Sequence, residues 1–312
     1  MAAFGFLFPG QGSQSVGMLD AWGDHPAVRD TLAEASAALG QDVAQLIREG
    51  PREALDLTTN TQPVMLTAGI ACYRAWRAEG GLEPAAVAGH SLGEYTALVA
   101  AGALALADAL PLVRFRAQAM QDAVPVGAGA MAAVLGLDAD AVSAGCAQAA
   151  RDSGEVVEAV NFNDPKQTVI AGSKLGVDKG CEVLKAMGAK RTLPLAVSAP
   201  FHSSLMKPAA ERLREKLATV TIEVPRIAIV NNIDVAAPSD AASLRDALYR
   251  QAFGPVRWVE VIQALRARGL TTLIECGPGK VLAGMVKRID PQAATGTILD
   301  PATLAEVRGQ LQ

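Results

Sequence analysis

The segment Gly89-His90-Ser91-Leu92-Gly93 constrains the architecture more than any other stretch of the chain. It follows an apolar, small-residue run over 85–90 that reads as a buried strand. It opens a helical pattern over 91–101, which Gly102 can close as a C-terminal cap. A serine between two glycines at a strand-to-helix turn is the pattern of a nucleophile elbow. The sharp turn holds the serine in a strained backbone conformation, the glycines prevent clashes, and the oxygen points off the sheet edge. Free N–H groups and the positive end of the following helix then lie where a developing oxyanion needs them. The bland alternative is an N-cap serine beside a tight glycine turn; the flanking strand and helix favour the nucleophile.

The elements on either side fit that reading. Residues 4–8 form a short buried strand followed by the glycine loop 9–14. Helical patterns cover 26–39, 43–49 and 62–79, with Pro63 placed in a first turn, where proline is tolerated. Asp108 is expected to N-cap a helix running to residue 122. Alternating strands and helices imply an α/β-hydrolase-like core with a mostly parallel sheet. Residues 127–198 break the alternation: strand 130–137, helix 139–151, strands 156–161 and 168–171 joined by the Asn163-Asp164-Pro165 turn, helix 175–187 and strand 190–197. That βαββαβ order is ferredoxin-like. Strands at 227–230 and 272–275 return to the first pattern, so the expected organisation is a large α/β catalytic subdomain, 1–126 and 199–312, with a small ferredoxin-like subdomain, 127–198, inserted into it.

Half of the 312 residues are hydrophobic, enough for a large core, and the net charge of −4 gives no sequence-wide basic field for nucleic acid. The apolar start, 2–8, lacks a basic flank and is broken by Pro9 and Gly10, so it reads as a strand and not as a signal. No apolar run is long enough to cross a bilayer. The four cysteines, Cys72, Cys146, Cys181 and Cys276, form no CxxC or Cys/His spacing; no metal site and no disulfide framework are expected, and the setting is taken as reducing and cytoplasmic. The loop after the first strand has neither G-x-G-x-x-G spacing nor a Walker lysine, which disfavours nucleotide binding.

An elbow serine needs a base, and the chain has three histidines. His25 precedes Pro26 in a polar stretch and is expected at the surface. His90 adjoins the serine, but consecutive side chains across a sharp turn rarely aim at each other; packing inside the elbow suits it better. His202 follows Pro200 where the inserted module rejoins the core, a place from which a base can overhang a cleft. By elimination His202 is the general base.

Several further strings occur in one order along nearly the whole chain: Phe8-Pro-Gly-Gln-Gly-Ser13, Thr61-Gln-Pro63, Gly89-His-Ser-Leu-Gly-Glu-Tyr95, Arg116 with Met120-Gln121, Asn161-Phe-Asn163, Pro200-Phe-His202 and Glu275-Cys-Gly-Pro-Gly279. Together they resemble the malonyl-CoA:acyl carrier protein transacylases of type II fatty acid synthesis. The resemblance implies that Ser91 carries the acyl group, that His202 is its base, and that the backbone carbonyl of Gln251 orients the histidine in place of a carboxylate. It places the oxyanion on the backbone N–H groups of Gln11 and Leu92, and the malonyl carboxylate on Arg116. Arg114, two residues away, points elsewhere on a helix, and the spacing to Met120-Gln121 selects Arg116. Ala117 stands where a glycine is common. Phe201 resembles members that accept malonyl and not methylmalonyl, a difference of one methyl worth about 1–3 kcal/mol. Gln62 and Asn161 are either substrate-binding cleft residues or makers of turn and strand-end hydrogen bonds.

The activity so implied is ping-pong transfer of malonyl from malonyl-CoA to the phosphopantetheine thiol of acyl carrier protein, through a malonyl-serine, with no bound cofactor. The rivals are a thioesterase or lipase-like hydrolase of the same nucleophile class, a non-catalytic binding module, and the same chemistry serving a polyketide pathway. The family default is a monomer. Carrier proteins are acidic, so a basic rim is expected, with Lys185, Lys190 and Arg191, or Lys280, Lys287 and Arg288, as its candidates or else as ordinary solvated charges.

Overall fold

Two sheets of opposite character share the chain. The computed structural model describes residues 3–311, so Ala2 of the apolar start lies outside the described residues. The strands are β1 (Phe4–Phe8), β2 (Ala86–Gly89), β3 (Gly129–Leu135), β4 (Val157–Asp164), β5 (Gln167–Ser173), β6 (Arg191–Pro194), β7 (Ala228–Val230), β8 (Thr272–Cys276) and β9 (Ala294–Ile298). The large sheet has the order β7-β2-β1-β8-β9 and is parallel throughout. Its central strands are buried along their whole length, which is why β1 reads Phe-Gly-Phe-Leu-Phe and does not alternate. Crossover helices cover both faces, so the loops after the strands gather at the carboxyl edge, where α/β sheets hold their sites. Since β1 and β2 are neighbours with Phe8 opposite Gly89, the loop after β1 and the elbow after β2 lie side by side; the His90 N–H donates to the Phe8 carbonyl at 3.0 Å.

The second sheet has the order β4-β5-β3-β6 and is antiparallel. With the helices Ala139–Ser153 and Lys174–Ala186 it makes the expected ferredoxin-like βαββαβ arrangement. Alternation along β3 sorts its side chains: Ala132 and Val134 pack with Val142, Cys146 and Leu184 of those helices, while Met131 and Ala133 face a cleft toward the large sheet. The end of β4 is fastened to the core. Val256 accepts from the Phe162 N–H at 2.9 Å and donates to the Val160 carbonyl at 2.8 Å, and Asp164 pairs with Arg288 at 2.7 Å.

Four local expectations are corrected. The helix expected from 62 is Thr58–Ala78, so Pro63 lies in its second turn. Polar side chains extend the start: Asn60 donates to the Ala54 carbonyl and Thr61 to those of Leu55 and Leu57. Asp108 is not an N-cap but lies in the first turn of Leu106–Asp122, because the Ala105 carbonyl already accepts from the Asp108 and Ala109 N–H groups. Asn163 and Asp164 belong to β4, and the turn is Pro165-Lys166, closed by the Lys166 N–H on Asp164 Oδ1 at 2.8 Å. His25 is half-buried and not fully at the surface: its side chain is 16% exposed and packs edge-on to Trp22. No described helix is long and apolar enough to cross a membrane.

Candidate active site

Where the sequence pattern would start a helix at Ser91, the backbone instead turns through φ 52° at that residue, and the helix Gly93–Ala100 begins two positions later. Left-handed φ at a non-glycine residue is a strained conformation that its surroundings must impose. The glycines make the turn possible. A Cβ on Gly89 would lie 1.9 Å from the Gly93 carbonyl carbon, and one on Gly93 would lie 2.1 Å from the Phe8 oxygen. The turn is held from outside by two amide side chains. Asn232, fully buried just past β7, accepts from the Ser91 N–H at 2.7 Å and donates to the Gly89 carbonyl at 2.8 Å. Gln251, at the end of the helix Ala241–Gln251, donates from Nε2 to the Ser91 carbonyl at 3.1 Å. The Asn232 N–H in turn donates to Glu94 at 2.8 Å, a buried carboxyl that burial pushes up to about 7.

His202 Nε2 lies 2.7 Å from Ser91 Oγ, and its Nδ1 lies 2.9 Å from the Gln251 carbonyl oxygen. A carbonyl can only accept, so Nδ1 carries the proton and the Nε2 lone pair faces the serine hydroxyl. Burial pulls the imidazole down to about 3, and the positive charge of Arg116 adds to the effect. The histidine is therefore neutral at ordinary pH, as a proton acceptor must be. Of the other two histidines, His90 packs edge-on to Trp258 and donates from Nε2 to Asn163 Oδ1 at 2.8 Å, which joins the elbow to β4. His25 lies beside Glu79.

Arg116 is 2% exposed and reaches the same point from the helix Leu106–Asp122. Its Nη1 donates to Gln62 Oε1 at 2.8 Å; its Nη2 donates to Gln251 Oε1 at 3.1 Å and, more distantly, to Ser91 Oγ at 3.3 Å. The Tyr95 ring lies under the guanidinium, 5.4 Å from centroid to Cζ. Nε is buried with no partner among the described residues. A buried guanidinium stays charged, yet none of its hydrogen-bond partners is anionic. Arg114 faces away from this point and donates to the Leu39 carbonyl and Gln41.

These groups open on a cleft of about 600 Å³ between the two sheets, a size suited to a small-molecule arm. Its walls include Gln11, Leu92 and Phe201 from the core side and Met131, Asn161 and Val169 from the antiparallel sheet. Among the described residues, the backbone N–H groups of Gln11 and Leu92 have no acceptor. Asn161 Oδ1 is buried without a partner as well. Gln62 touches Arg116 directly. Of the candidate rim cations, Arg288 is taken by Asp164.

Sequence reasoning missed Asn232, Glu94 and the side chain of Gln251. The amide pair Asn231-Asn232 directly after a buried strand, at the carboxyl edge of the parallel sheet, was the available signal for the first. Nothing in the sequence pointed to the Gln251 side chain, because any residue supplies a backbone carbonyl.

Comparison with known proteins bears on this geometry. Residues 5–301 match the acyl transferase domain family. A solved acyl-carrier-protein S-malonyltransferase from Burkholderia pseudomallei is 64% identical, superposes with a TM-score of 0.97, and covers 98% of this chain and 99% of that one. The malonyl CoA-acyl carrier protein transacylase of Salmonella typhimurium is 50% identical over 98% of each chain. A malonyl-transacylase solved in complex with its type II polyketide acyl carrier protein is 44% identical with a TM-score of 0.97, over 99% of this chain and 100% of that one.

Proposed function

The chain belongs to the acyl transferase domain family, and from that premise we propose that it moves a malonyl group from coenzyme A to the phosphopantetheine thiol of an acyl carrier protein, supplying malonyl carrier for fatty acid synthesis. It is an acyltransferase, and the chemistry calls on no bound cofactor. The observation that carries the malonyl reading is Arg116: a buried cation 3.3 Å from the nucleophile with neutral partners only, so that an acyl group ending in a carboxylate would complete its pairing.

In the first half-reaction His202 Nε2 takes the Ser91 hydroxyl proton as Oγ attacks the thioester carbonyl. The oxyanion rests on the N–H groups of Gln11 and Leu92, both still without acceptors. Collapse breaks the C–S bond, and the proton on His202 passes to the departing thiolate. In the second half-reaction His202 takes the proton of the carrier thiol, whose sulfur attacks the malonyl-serine ester, and Ser91 Oγ recovers the proton. The Gln251 carbonyl fixes the imidazole tautomer through Nδ1 but, being neutral, stabilises the imidazolium less than a carboxylate does. That weaker assistance suits an activated thioester. Arg116 would orient the acyl group in both steps, and Phe201 would crowd an added methyl.

We take 1–126 with 199–312 as the catalytic subdomain and 127–198 as the small one, acting as a cytoplasmic monomer; Ser91, His202, Arg116, Gln62 and Gln251 meet within a single copy of the chain, so the chemistry calls on no residue of a second. The test is transfer. The enzyme charged with malonyl-CoA is freed of excess substrate and offered holo carrier protein: malonyl should pass to the carrier thiol and persist on the enzyme without it. Prompt release to water in the absence of carrier would make the protein a hydrolase.

A further inference from the structure

Gln62 and Gln251 do something to Arg116 that a mere anchor would not need. Each presents a neutral amide oxygen to one end of the guanidinium, Gln62 Oε1 to Nη1 at 2.8 Å and Gln251 Oε1 to Nη2 at 3.1 Å. Both glutamines are buried, at 2% and 0% exposure. A buried arginine is ordinarily matched by a carboxylate, because an uncompensated charge in a low-dielectric interior is costly. Here the one buried carboxyl whose field reaches Arg116, that of Glu94, takes its hydrogen bond from the Asn232 N–H instead. Of the five guanidinium N–H groups, two go to the glutamines and one makes the long contact with Ser91 Oγ. The buried Nε–H has no acceptor among the described residues.

We propose that Gln62 and Gln251 are specificity-determining residues that hold the Arg116 fork in place while leaving its charge uncompensated, so that the carboxylate of the acyl group supplies the missing anion. The inference rests on the malonyl reading above. It also explains why the Gln251 side chain matters when the His202 contact uses only its backbone carbonyl. Gln62 contacts Arg116 and not the serine or histidine, which makes it the position at which charge and geometry can be separated.

Glutamate is nearly isosteric with glutamine and is a stronger acceptor for arginine, whereas leucine has similar bulk and accepts nothing. If Gln62 only positioned Arg116, Gln62→Glu would be mild and Gln62→Leu harmful. Charge preservation reverses that order: the new carboxylate satisfies Arg116 internally and competes with the substrate. The experiment measures acylation of Ser91 by malonyl-CoA and by acetyl-CoA in wild type, Gln62→Glu and Gln62→Leu. Labelling by a neutral fluorophosphonate serves as the check that the Ser–His site is assembled. The malonyl-to-acetyl ratio should fall by about tenfold or more in Gln62→Glu, through a raised KM for malonyl-CoA, and by less in Gln62→Leu. A ratio in Gln62→Glu equal to that of wild type, or better than that of Gln62→Leu, overturns the proposal provided the fluorophosphonate still reacts. Should Gln62→Glu fail to react with the fluorophosphonate, Gln62→Leu decides alone: its malonyl-to-acetyl ratio should stay within about threefold of wild type, and a larger fall overturns the proposal. Failure of wild type to take up malonyl at all would sink the malonyl reading itself, a distinguishable result.

Discussion

Replacing Asn232 with alanine should damage both the fold and the chemistry, by amounts that follow from its contacts. The side chain is fully buried and makes two short bonds, from the Ser91 N–H at 2.7 Å and to the Gly89 carbonyl at 2.8 Å. Alanine leaves a part-buried donor and a buried acceptor without partners, each costing about 1–3 kcal/mol, so the loss of stability should be about 2–6 kcal/mol. The Asn232 N–H to Glu94 is main chain and survives, so the change isolates the side chain. Ser91 is also released from one of the constraints that hold its φ at 52°. Relaxation would carry Oγ off its 2.7 Å contact with His202, and misplacement on the 1 Å scale costs about 10²-fold in rate. Denaturant unfolding should show a lowered midpoint at unchanged slope, and the rate of Ser91 malonylation should fall by about two orders of magnitude. A variant that kept its unfolding free energy to within about 1 kcal/mol and its labelling rate to within about twofold would refute the idea that Asn232 imposes the elbow.

Gly89→Ala should be more severe, since its Cβ would overlap the Gly93 backbone at 1.9 Å; a variant with a normal cooperative transition and normal labelling would contradict the close approach. Arg116→Ala should lose malonyl transfer selectively over acetyl transfer, read from the two rates of Ser91 acylation; equal loss for both acyl groups would remove its carboxylate-binding role. His202 is held down to about 3 in the folded protein against 6.5 for an ordinary histidine. The unfolded chain therefore takes up this proton first as pH falls, and the stability contributed by neutral His202 is lost between about pH 6.5 and pH 3. The Ser91 labelling rate with a neutral serine reagent should accordingly show no break from His202 near pH 6.5; Glu94, pushed up to about 7, titrates in the same range, so a clear break there that persists in Glu94→Gln would put the histidine in a more open setting.

The sequence carried the local features well and the long-range ones unevenly. Strand β1, the helices Pro26–Leu39 and Val43–Glu49, and the βαββαβ order were legible because each rests on composition and short-range periodicity. The glycines around Ser91 announced the turn, but periodicity could not show that it displaces the helix start to Gly93, since that depends on φ at one residue. Helix geometry said only that Arg114 and Arg116 face different directions, and the family resemblance, through the spacing to Met120-Gln121, chose Arg116; the two side chains do find partners on different sides. His202 emerged by elimination only because the chain has so few histidines. Asn232 and the Gln251 side chain stayed hidden for a physical reason. Each acts across 141 and 160 residues of chain on the backbone of Ser91, and an amide in a loop or at a helix end looks the same whether it bonds water or a nucleophile.

The central claim, an acyl group carried on Ser91 under the control of His202, is tested most directly by intact mass measurement after mixing with malonyl-CoA, followed by peptide mapping of the adduct. Wild type should gain one malonyl group as an ester on Ser91, and Ser91→Ala should gain none. An adduct that persists in Ser91→Ala, or that maps to another residue in the wild type, would contradict it.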